Sequence, residues 1–287
     1  MGFKGILLAG GYGTRLRPLT SSVNKHLLPI YDKPLIFYSL SILMLANIRD
    51  IIIVTNKNSL PSFKKLLGHG EKFGIKLNYV IQMNPTGIPD ALILTEKFIK
   101  NSNIALVLGD NFFYGQGFTE ILNNPKANFS GAEIFCYNVK NPSQYGVAKI
   151  RYKKIVSLKE KPKKYVSSLA ISGIYFLDNK AVLNAKKLKK SKRKETEIID
   201  LLEIYRKKRK LKYSVIGRGA AWLDTGTAEN LFNANNFVYN VEKRQGFKIA
   251  CLEEIAFKKK WISKKDLLKI SLEFKNTEYG QYLKNLI

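Results

Sequence analysis

Four short apolar runs alternate with helical patterns in the first 110 residues, and this alternation constrains the fold most. The runs are residues 6–9, 51–54, 77–81 and 104–108. Helical patterns separate them: one starts at Pro34, one passes through Phe63, and one runs from Pro89 to Ile99. Strands and helices that alternate at this spacing predict a mainly parallel sheet with right-handed crossovers. Ligands of such sheets lie at the carboxyl ends of the strands, so we expect the functional site there.

The first apolar run ends in a glycine-rich turn followed by cations. The turn is Gly10-Gly11-Tyr12-Gly13, and the cations are Arg15, Arg17 and Lys25. Glycines allow main-chain N–H groups to approach a ligand closely, and the cations match the charge of a polyphosphate. The turn alone fits a tight strand-to-helix connection equally well. Leu16 stands where the dinucleotide fingerprint needs a third glycine, and no Gly-Lys-Ser/Thr tripeptide occurs, so neither common phosphate loop is present.

Two carboxylates follow apolar segments at points that suggest metal binding. Asp110 follows the run 104–108 after one glycine, Gly109, and Asp224 ends the segment 220–224. An aspartate after a strand is often only a cap or turn residue. Beside a polyphosphate loop, a hard oxygen ligand for Mg²⁺ is the better interpretation of Asp110, and Asp224 is a second candidate.

The pattern changes from about residue 131, where strands follow one another with fewer helices. Strands are predicted at residues 132–139, 145–150, 155–158 and 171–177, and Thr227 is a predicted N-cap of a helix to about Glu242. We therefore predict an α/β, Rossmann-like fold whose mainly parallel or mixed central sheet is flanked by helices. The predicted domain spans residues 1–245, with a nucleotide-binding half (1–130) and a mixed sugar-phosphate half (131–245). Residues 246–287 form a small C-terminal helical appendage.

The chain is strongly basic, which can indicate nucleic-acid binding or a solvated basic surface. The 49 Lys and Arg residues outnumber the 22 Asp and Glu residues, which gives a net charge of +27. The basic runs 186–194 and 206–210 lack the interleaved aromatics of a single-strand-binding surface, so we expect no nucleic-acid partner. Cys136 and Cys251 form no CxxC pair, which favours a reducing compartment. We also expect no signal peptide and no membrane span, and hence a cytoplasmic protein.

Several motifs occur in an order that resembles one known family. They are LLAGGYGTRLRPLT, NKHLLPIYDKP, LVLGDNFFYG, YGV, LKEKP, GIYFLD, AWLDTGT, EKRQG and EEIA…KWI. Almost end to end, the chain resembles bacterial glucose-1-phosphate thymidylyltransferases, which are sugar nucleotidyltransferases. The resemblance implies a homotetrameric enzyme that joins dTTP and glucose 1-phosphate to give dTDP-glucose and pyrophosphate with Mg²⁺. That reaction would be the first step towards dTDP-rhamnose and related deoxysugars.

The resemblance also implies roles for individual residues. The implied catalytic residues are Arg15, Lys25 and Lys161. The implied nucleotide-binding residues are Leu8, Gly10, Gly11, Gly13, Thr14, Gln82, Gly87 and Asp110. The implied sugar-phosphate-binding residues are Asn111, Tyr145, Gly146, Glu160, Lys161 and Ile171. Asp110 and Asp224 match the two carboxylates that hold Mg²⁺.

Four positions depart from the family pattern. Pro89 and Asp90 stand where relatives commonly carry Ala-Gln, which indicates either an altered base or sugar preference or a tolerated change at a helix start. The second interpretation is locally consistent, since both residues suit a first helical turn. His26 replaces a frequent glutamine and is interpreted as structural. Lys194 replaces a frequent glycine, and nothing in the sequence explains it.

Alternatives to this function remain open at the level of the sequence. The same chemistry could use UTP or another sugar 1-phosphate, because a single methyl separates thymine from uracil. A non-catalytic sugar-nucleotide sensor is a different class, although the loop cations and carboxylates are all present. Residues 217–219 and 253–255 fall where the family places a feedback site at a subunit interface.

Overall fold

The computed structural model describes residues 2–123, 129–191 and 194–287. Its strands are β1 (Phe3–Ala9), β2 (Pro29–Ile30), β3 (Lys33–Pro34), β4 (Asp50–Thr55), β5 (Lys76–Ile81), β6 (Asn103–Leu108), β7 (Asn111–Gly115), β8 (Ala132–Asn138), β9 (Gly146–Arg151), β10 (Lys154–Glu160), β11 (Leu169–Leu177), β12 (Leu211–Val215) and β13 (Ala220–Asp224). Its helices are α1 (Leu35–Leu45), α2 (Leu60–Leu67), α3 (Ile88–Leu94), α4 (Glu96–Ile99), α5 (Phe118–Leu122), α6 (Ala181–Ala185), α7 (Ile198–Lys207), α8 (Ala228–Gln245), α9 (Leu252–Lys258), α10 (Lys264–Glu273) and α11 (Glu278–Asn285).

A mixed sheet forms the centre of the molecule. Along it the strands follow the order β10-β9-β11-β6-β1-β4-β5, and β8 pairs with both β11 and β12. The four strands β6, β1, β4 and β5 are parallel, whereas β11 runs antiparallel to β6. The predicted fold class is therefore confirmed, and the change from parallel to antiparallel pairing occurs between β6 and β11.

Both faces of the parallel strands are buried, which explains their continuous apolar sequences. Successive side chains of a strand point to opposite faces, and Ile6 and Leu7 accordingly belong to two different buried clusters. The cluster around Leu7 includes residues of α1 and of the C-terminal helices α9, α10 and α11. The cluster around Ile6 includes residues of α3 and α7. The C-terminal appendage thus shares an apolar core with the sheet.

The structure refines several predicted elements. The helix predicted from Pro89 to Ile99 is divided at Thr95 into α3 and α4, where the Thr95 hydroxyl donates a hydrogen bond to the carbonyl of Leu92 (2.8 Å). A single helix was therefore the wrong prediction, because the threonine competes locally with the helical pattern. Thr227 is confirmed as the N-cap of α8, and its hydroxyl accepts the N–H of Asn230 (3.2 Å).

A two-stranded ribbon of β7 and β13 lies outside the main sheet and was not predicted. It begins one residue after Asp110 and ends at Asp224, and its antiparallel register places Asp224 opposite Asn111. The ribbon therefore brings together two segments more than 100 residues apart in the sequence.

Candidate active site

The glycine-rich turn follows β1 directly and lies against Lys25. Gly13 has a left-handed backbone (φ 61°), and its carbonyl accepts a hydrogen bond from the Thr20 hydroxyl (2.7 Å). A Cβ added at Gly13 would lie 3.1 Å from the Cβ of Lys25, and one added at Gly11 would lie 3.6 Å from its Cε. The turn and the lysine are thus packed together, as expected for a phosphate-binding loop with its own cation.

Lys25 forms an ion pair with Asp110. Its Nζ contacts Oδ2 of Asp110, which lies just beyond the carboxyl end of β6. Burial tends to raise the pKa of this carboxyl, but the charge and hydrogen bond of Lys25 outweigh burial and lower the pKa to about 2. Asp110 is therefore ionised at neutral pH and available as an oxygen ligand.

The residues on either side of Lys25 are held firmly. The Asn24 side chain accepts hydrogen bonds from the backbone N–H of His26 (2.9 Å) and from its Nδ1 (2.7 Å). Burial, and next the charge of Lys25, lower the pKa of His26 to about 3, so this imidazole is neutral. The structure agrees with the structural role expected for His26. Asn24 was missed, because a polar residue in a loop carries no distinguishing sequence signal.

Asp224 lies beside Asp110 at the end of the β7–β13 ribbon. The backbone N–H and the hydroxyl of Thr225 both donate to the carbonyl of Asp110 (3.1 and 2.8 Å). Burial, and next the charge of Asp110, raise the pKa of Asp224. One of its oxygens accepts the N–H of Gly226 (2.8 Å), and a Cβ at Gly226 would lie 2.8 Å from Nη2 of Arg15. Two carboxylates and an arginine therefore converge at this corner.

The carboxylate pair fits a magnesium ion that is shared with a substrate. Within residues 2–123, 129–191 and 194–287, no group of three or more His, Cys, Asp or Glu side chains is arranged to hold a metal. Mg²⁺ is commonly bound by one or two carboxylates, with phosphate oxygens and waters completing its octahedron. Asp110 and Asp224 would match such a partial set of ligands, and Asp110 has the lower pKa of the two.

Two adjoining cavities meet at Asp110. The first has a volume of about 270 Å³ and the second about 220 Å³, and Ile88, Leu108 and Asp110 line both. Of the predicted residues, the first cavity is lined by Leu8, Gly10, Gly11, Lys25, Gln82, Gly87 and Asp110. The second is lined by Arg15, Asp110, Asn111, Tyr145, Gly146, Glu160, Lys161, Ile171 and Asp224. Gly13 and Thr14 line neither cavity, and Arg15 lies in the second rather than the first.

Gln82 carries an unpaired polar group beside the first cavity. The residue is 8% exposed, and its Nε2 has no hydrogen-bond partner among the residues that the structure describes. Its backbone N–H donates to the carbonyl of Thr55 (2.8 Å), which fixes the residue at the end of β5. A buried donor without a partner costs free energy, so its presence beside a cavity favours a ligand that supplies an acceptor.

Gly87 holds the next loop against the start of α7. It forms a parallel bridge with Thr196, and the N–H of Thr196 donates to the carbonyl of Thr86 (2.8 Å). Gly87 has a φ of 122°, and a Cβ there would lie 2.1 Å from the Thr196 carbonyl oxygen, so the position requires glycine. Pro89 and Asp90 lie in the first turn of α3 and line neither cavity, which favours the helix-start interpretation.

The second cavity takes residues from six strands: β6, β7, β9, β10, β11 and β13. Asn111 on β7 accepts a hydrogen bond from Nε1 of Trp222 on β13 (2.7 Å), and the Trp222 ring lies 5.0 Å from that of Tyr145. Gly146 on β9 pairs with Glu160 on β10, and the N–H of Lys161 donates to the carbonyl of Tyr145 (3.0 Å). Trp222 was quoted within a motif but not predicted as a site residue. Its role follows from the ribbon pairing, which has no sequence signature.

The segments suggested for a feedback site lie on either side of β7. A Cβ at Gly115 would lie 2.5 Å from the Gly219 carbonyl oxygen. Glu254 and Ile255 line a separate cavity of about 430 Å³ together with Tyr114 and Gly115.

None of the helices in the described residues is long and apolar enough to cross a membrane.

A glycine-rich loop at a strand end, two neighbouring carboxylates and two cavities that share one of these carboxylates are typical of nucleotide-transferring enzymes. Comparison with known proteins agrees. Residues 4–241 match the family model described as nucleotidyl transferase, and the chain belongs to this family. It is a nucleotidyltransferase.

Named relatives are similar over nearly their whole length. The chain is 50% identical over 285 residues to a glucose-1-phosphate thymidylyltransferase of Neisseria meningitidis and 46% identical to one of Mycolicibacterium smegmatis, with 99% of each chain covered. These relatives confirm the resemblance drawn from the motifs.

Solved structures share the fold. A Bacillus anthracis structure, described as a glucose-1-phosphate thymidylyltransferase in complex with sucrose, is 38% identical with a TM-score of 0.76, over 82% of this chain and 95% of that one. A UDP-glucose pyrophosphorylase complexed with UDP-glucose is 25% identical with a TM-score of 0.74, over 84% of this chain and 100% of that one.

Proposed function

We propose that this nucleotidyltransferase joins dTTP and glucose 1-phosphate to give dTDP-glucose and pyrophosphate. The observation that carries the proposal is the shared position of Asp110 in the two cavities. A nucleotide in the first cavity and a sugar phosphate in the second would meet at this carboxylate. The α-phosphate and the attacking phosphate oxygen would then lie side by side.

The transfer needs no protein nucleophile. An anionic oxygen of the sugar phosphate forms a bond to the α-phosphorus, while the bond from that phosphorus to the bridging oxygen breaks. Pyrophosphate leaves with the electron pair of that bond. Arg15, Lys25 and Lys161 would stabilise the charge that moves between the phosphates, because fixed cations in a partly buried site act strongly on developing charge.

Asp110 and Asp224 would hold Mg²⁺, which supplies a Lewis acid for the phosphate oxygens when bound. The position of Arg15 beside Gly226 and Asp224 places its guanidinium at the same corner. From there it would act on the phosphates that depart as pyrophosphate.

The unpaired Nε2 of Gln82 supports a pyrimidine base in the first cavity. A pyrimidine carbonyl would accept the hydrogen bond that this buried amide lacks in the protein alone. Thymine and uracil carry the same carbonyl oxygens and differ by one methyl, worth about 1 kcal/mol in a pocket. UTP is the second candidate nucleotide. The structural likeness to a UDP-glucose pyrophosphorylase supports this alternative.

Polar groups of the second cavity support a sugar phosphate there. Asn111, Glu160 and the Gly146 backbone would bind hydroxyl groups, and Lys161 would bind the phosphate. Tyr145 and Ile171 would form the remaining walls. The intact cations and carboxylates argue against a non-catalytic sensor. We also propose that the enzyme is cytoplasmic, that it assembles as a homotetramer and that it has a feedback site.

A substrate screen tests this proposal. The purified protein is incubated with Mg²⁺ and each pairing of dTTP, UTP, CTP or GTP with several sugar 1-phosphates, and pyrophosphate release is measured. We expect the fastest release with dTTP and glucose 1-phosphate. Faster release with UTP would support the second candidate, whereas exclusive use of CTP or GTP would reject the assignment. An Asp110→Asn protein purified in parallel controls for contaminating activity.

A further inference from the structure

Both polar atoms of the Asn24 side-chain amide take part in hydrogen bonds. Its Oδ1 accepts two of them, from the backbone N–H and from Nδ1 of His26. Its Nδ2 donates two, to the carbonyl of Ala9 (3.2 Å) and to the hydroxyl of Ser59 (3.0 Å). Four hydrogen bonds saturate an amide group, so the orientation of Asn24 is determined by its surroundings.

These four bonds join three separate segments of the chain. Ala9 is the last residue of β1 and directly precedes the glycine-rich turn, and its carbonyl also accepts the Thr55 hydroxyl (3.3 Å). Ser59 lies just before α2. The third piece is a single 3₁₀ turn, Lys25–Leu27, which Asn24 caps. A turn this short has little stability of its own, so its placement depends on such anchors.

His26 anchors the other side of Lys25. It is 1% exposed and lies against Gly109, where a Cβ would come within 2.6 Å of its ring. The N–H of Gly109 donates to the carbonyl of Leu8 (2.9 Å), so this contact is also tied to the end of β1. Both sequence neighbours of Lys25 are therefore fixed relative to the glycine-rich turn and to Asp110.

We propose that Asn24 is a positioning residue that sets the backbone of Lys25, with His26 as a second anchor. The inference rests on the proposed function, because the role of Lys25 in phosphate transfer belongs to that proposal. An asparagine that acts only as a turn cap would lower stability when removed and leave turnover unchanged. A positioning residue lowers turnover as well, because the Lys25 ammonium then samples other positions.

The first experiment separates these two roles. We expect Asn24→Ala to lower kcat about 30-fold with less than a threefold change in the KM for dTTP, since a displacement near 1 Å can cost a hundredfold in rate. Ser263→Ala is the matched control, because Ser263 caps α10 by a similar bond in the appendage. That variant should lower the Tm and leave kcat unchanged. Wild-type kcat in Asn24→Ala would overturn the proposal.

A double-mutant cycle asks whether Asn24 acts through Lys25. In a Lys25→Ala background, Asn24→Ala should lower kcat by less than threefold, because the group that it positions is already absent. A further 30-fold loss in that background would overturn the proposal, since Asn24 would then act independently of Lys25.

Asn24→Asp keeps the inference testable if the alanine variant fails to fold. The carboxylate retains both acceptor bonds to His26 and loses the two donor bonds, so we expect a kcat between those of wild type and alanine. A kcat equal to that of wild type would overturn the proposal, because the ties to Ala9 and Ser59 would then be dispensable. An absence of transfer by the wild-type protein would instead reject the proposed function.

Discussion

The two cavities that meet at Asp110 are built in different ways. The first includes residues that lie within two positions of the carboxyl ends of parallel strands: Gly10 after β1, Gln82 after β5 and Asp110 after β6. The second takes residues from the antiparallel part of the sheet and from the β7–β13 ribbon, as Gly146, Ile171 and Trp222 show. Strand topology positions the strand-end residues of the first cavity, whereas the second depends more on side-chain packing between distant segments.

The two carboxylates at the junction show the same contrast. Asp110 belongs to the parallel sheet and is paired with Lys25, and its pKa is lowered to about 2. Asp224 belongs to the ribbon, and burial together with Asp110 raises its pKa. One carboxylate is thus stabilised as an anion by the protein itself. Burial and the charge of Asp110 disfavour the anion of the other, so positive charge brought near it would favour that anion.

The largest expected effect comes from the residue that both cavities share. Asp110→Asn should lower kcat by a hundredfold or more, since the substitution removes the proposed Mg²⁺ ligand and the ionic partner of Lys25. Pyrophosphate release under saturating substrates measures the change. Near-wild-type turnover would remove Asp110 from the reaction and break the link between the cavities.

Lys25→Ala and Lys161→Ala should separate the two cavities. We expect each to cost roughly a hundredfold in kcat/KM, the order found for lost electrostatic stabilisers. Lys25→Ala should lower kcat at saturating concentrations of both substrates. Lys161→Ala should raise the KM for the sugar phosphate and leave the KM for the nucleotide unchanged. Equal effects of Lys161→Ala on both KM values would contradict separate cavities.

Trp222→Phe tests whether ribbon packing matters to the second cavity. The phenylalanine ring retains most of the aromatic packing but cannot donate to Asn111, and the unpaired amide oxygen should cost about 1–2 kcal/mol. We expect roughly a tenfold loss of kcat/KM for the sugar phosphate, following that free energy. The KM for the nucleotide serves as the internal control and should not change.

Gln82→Met should have an effect no larger than that of Trp222→Phe. The free energy of unfolding should rise, whereas the affinity for the nucleotide should fall. Replacing a buried unpaired amide by an apolar side chain of similar size should stabilise the free protein by about 1 kcal/mol. Nucleotide affinity should fall by about tenfold, because the proposed bond to the base is lost. Thermal unfolding and equilibrium dialysis measure the two quantities. A loss of stability without a loss of affinity would argue that Gln82 is structural.

The sequence predicts the first cavity better than the second. The parallel strands, the turn after β1 and the carboxylate after β6 follow from short apolar runs and from the rule that ligands lie at strand ends. The partnership of Asp224 with Asp110 rested on the family resemblance, because it arises from the pairing of β7 with β13 across more than 100 residues. Asn24 and Trp222 were missed because their importance lies in hydrogen bonds to particular partners, which periodicity does not reveal.

The central claim is that substrates in the two cavities react in a single displacement. The stereochemistry at the α-phosphorus tests this claim most directly. The reaction is run with a dTTP analogue that carries sulfur at one non-bridging α-oxygen of known configuration, and the configuration of the sugar nucleotide product is determined. A single in-line attack by the sugar phosphate predicts inversion of configuration. Retention would require two displacements through a nucleotidyl-enzyme intermediate and would contradict direct transfer at Asp110.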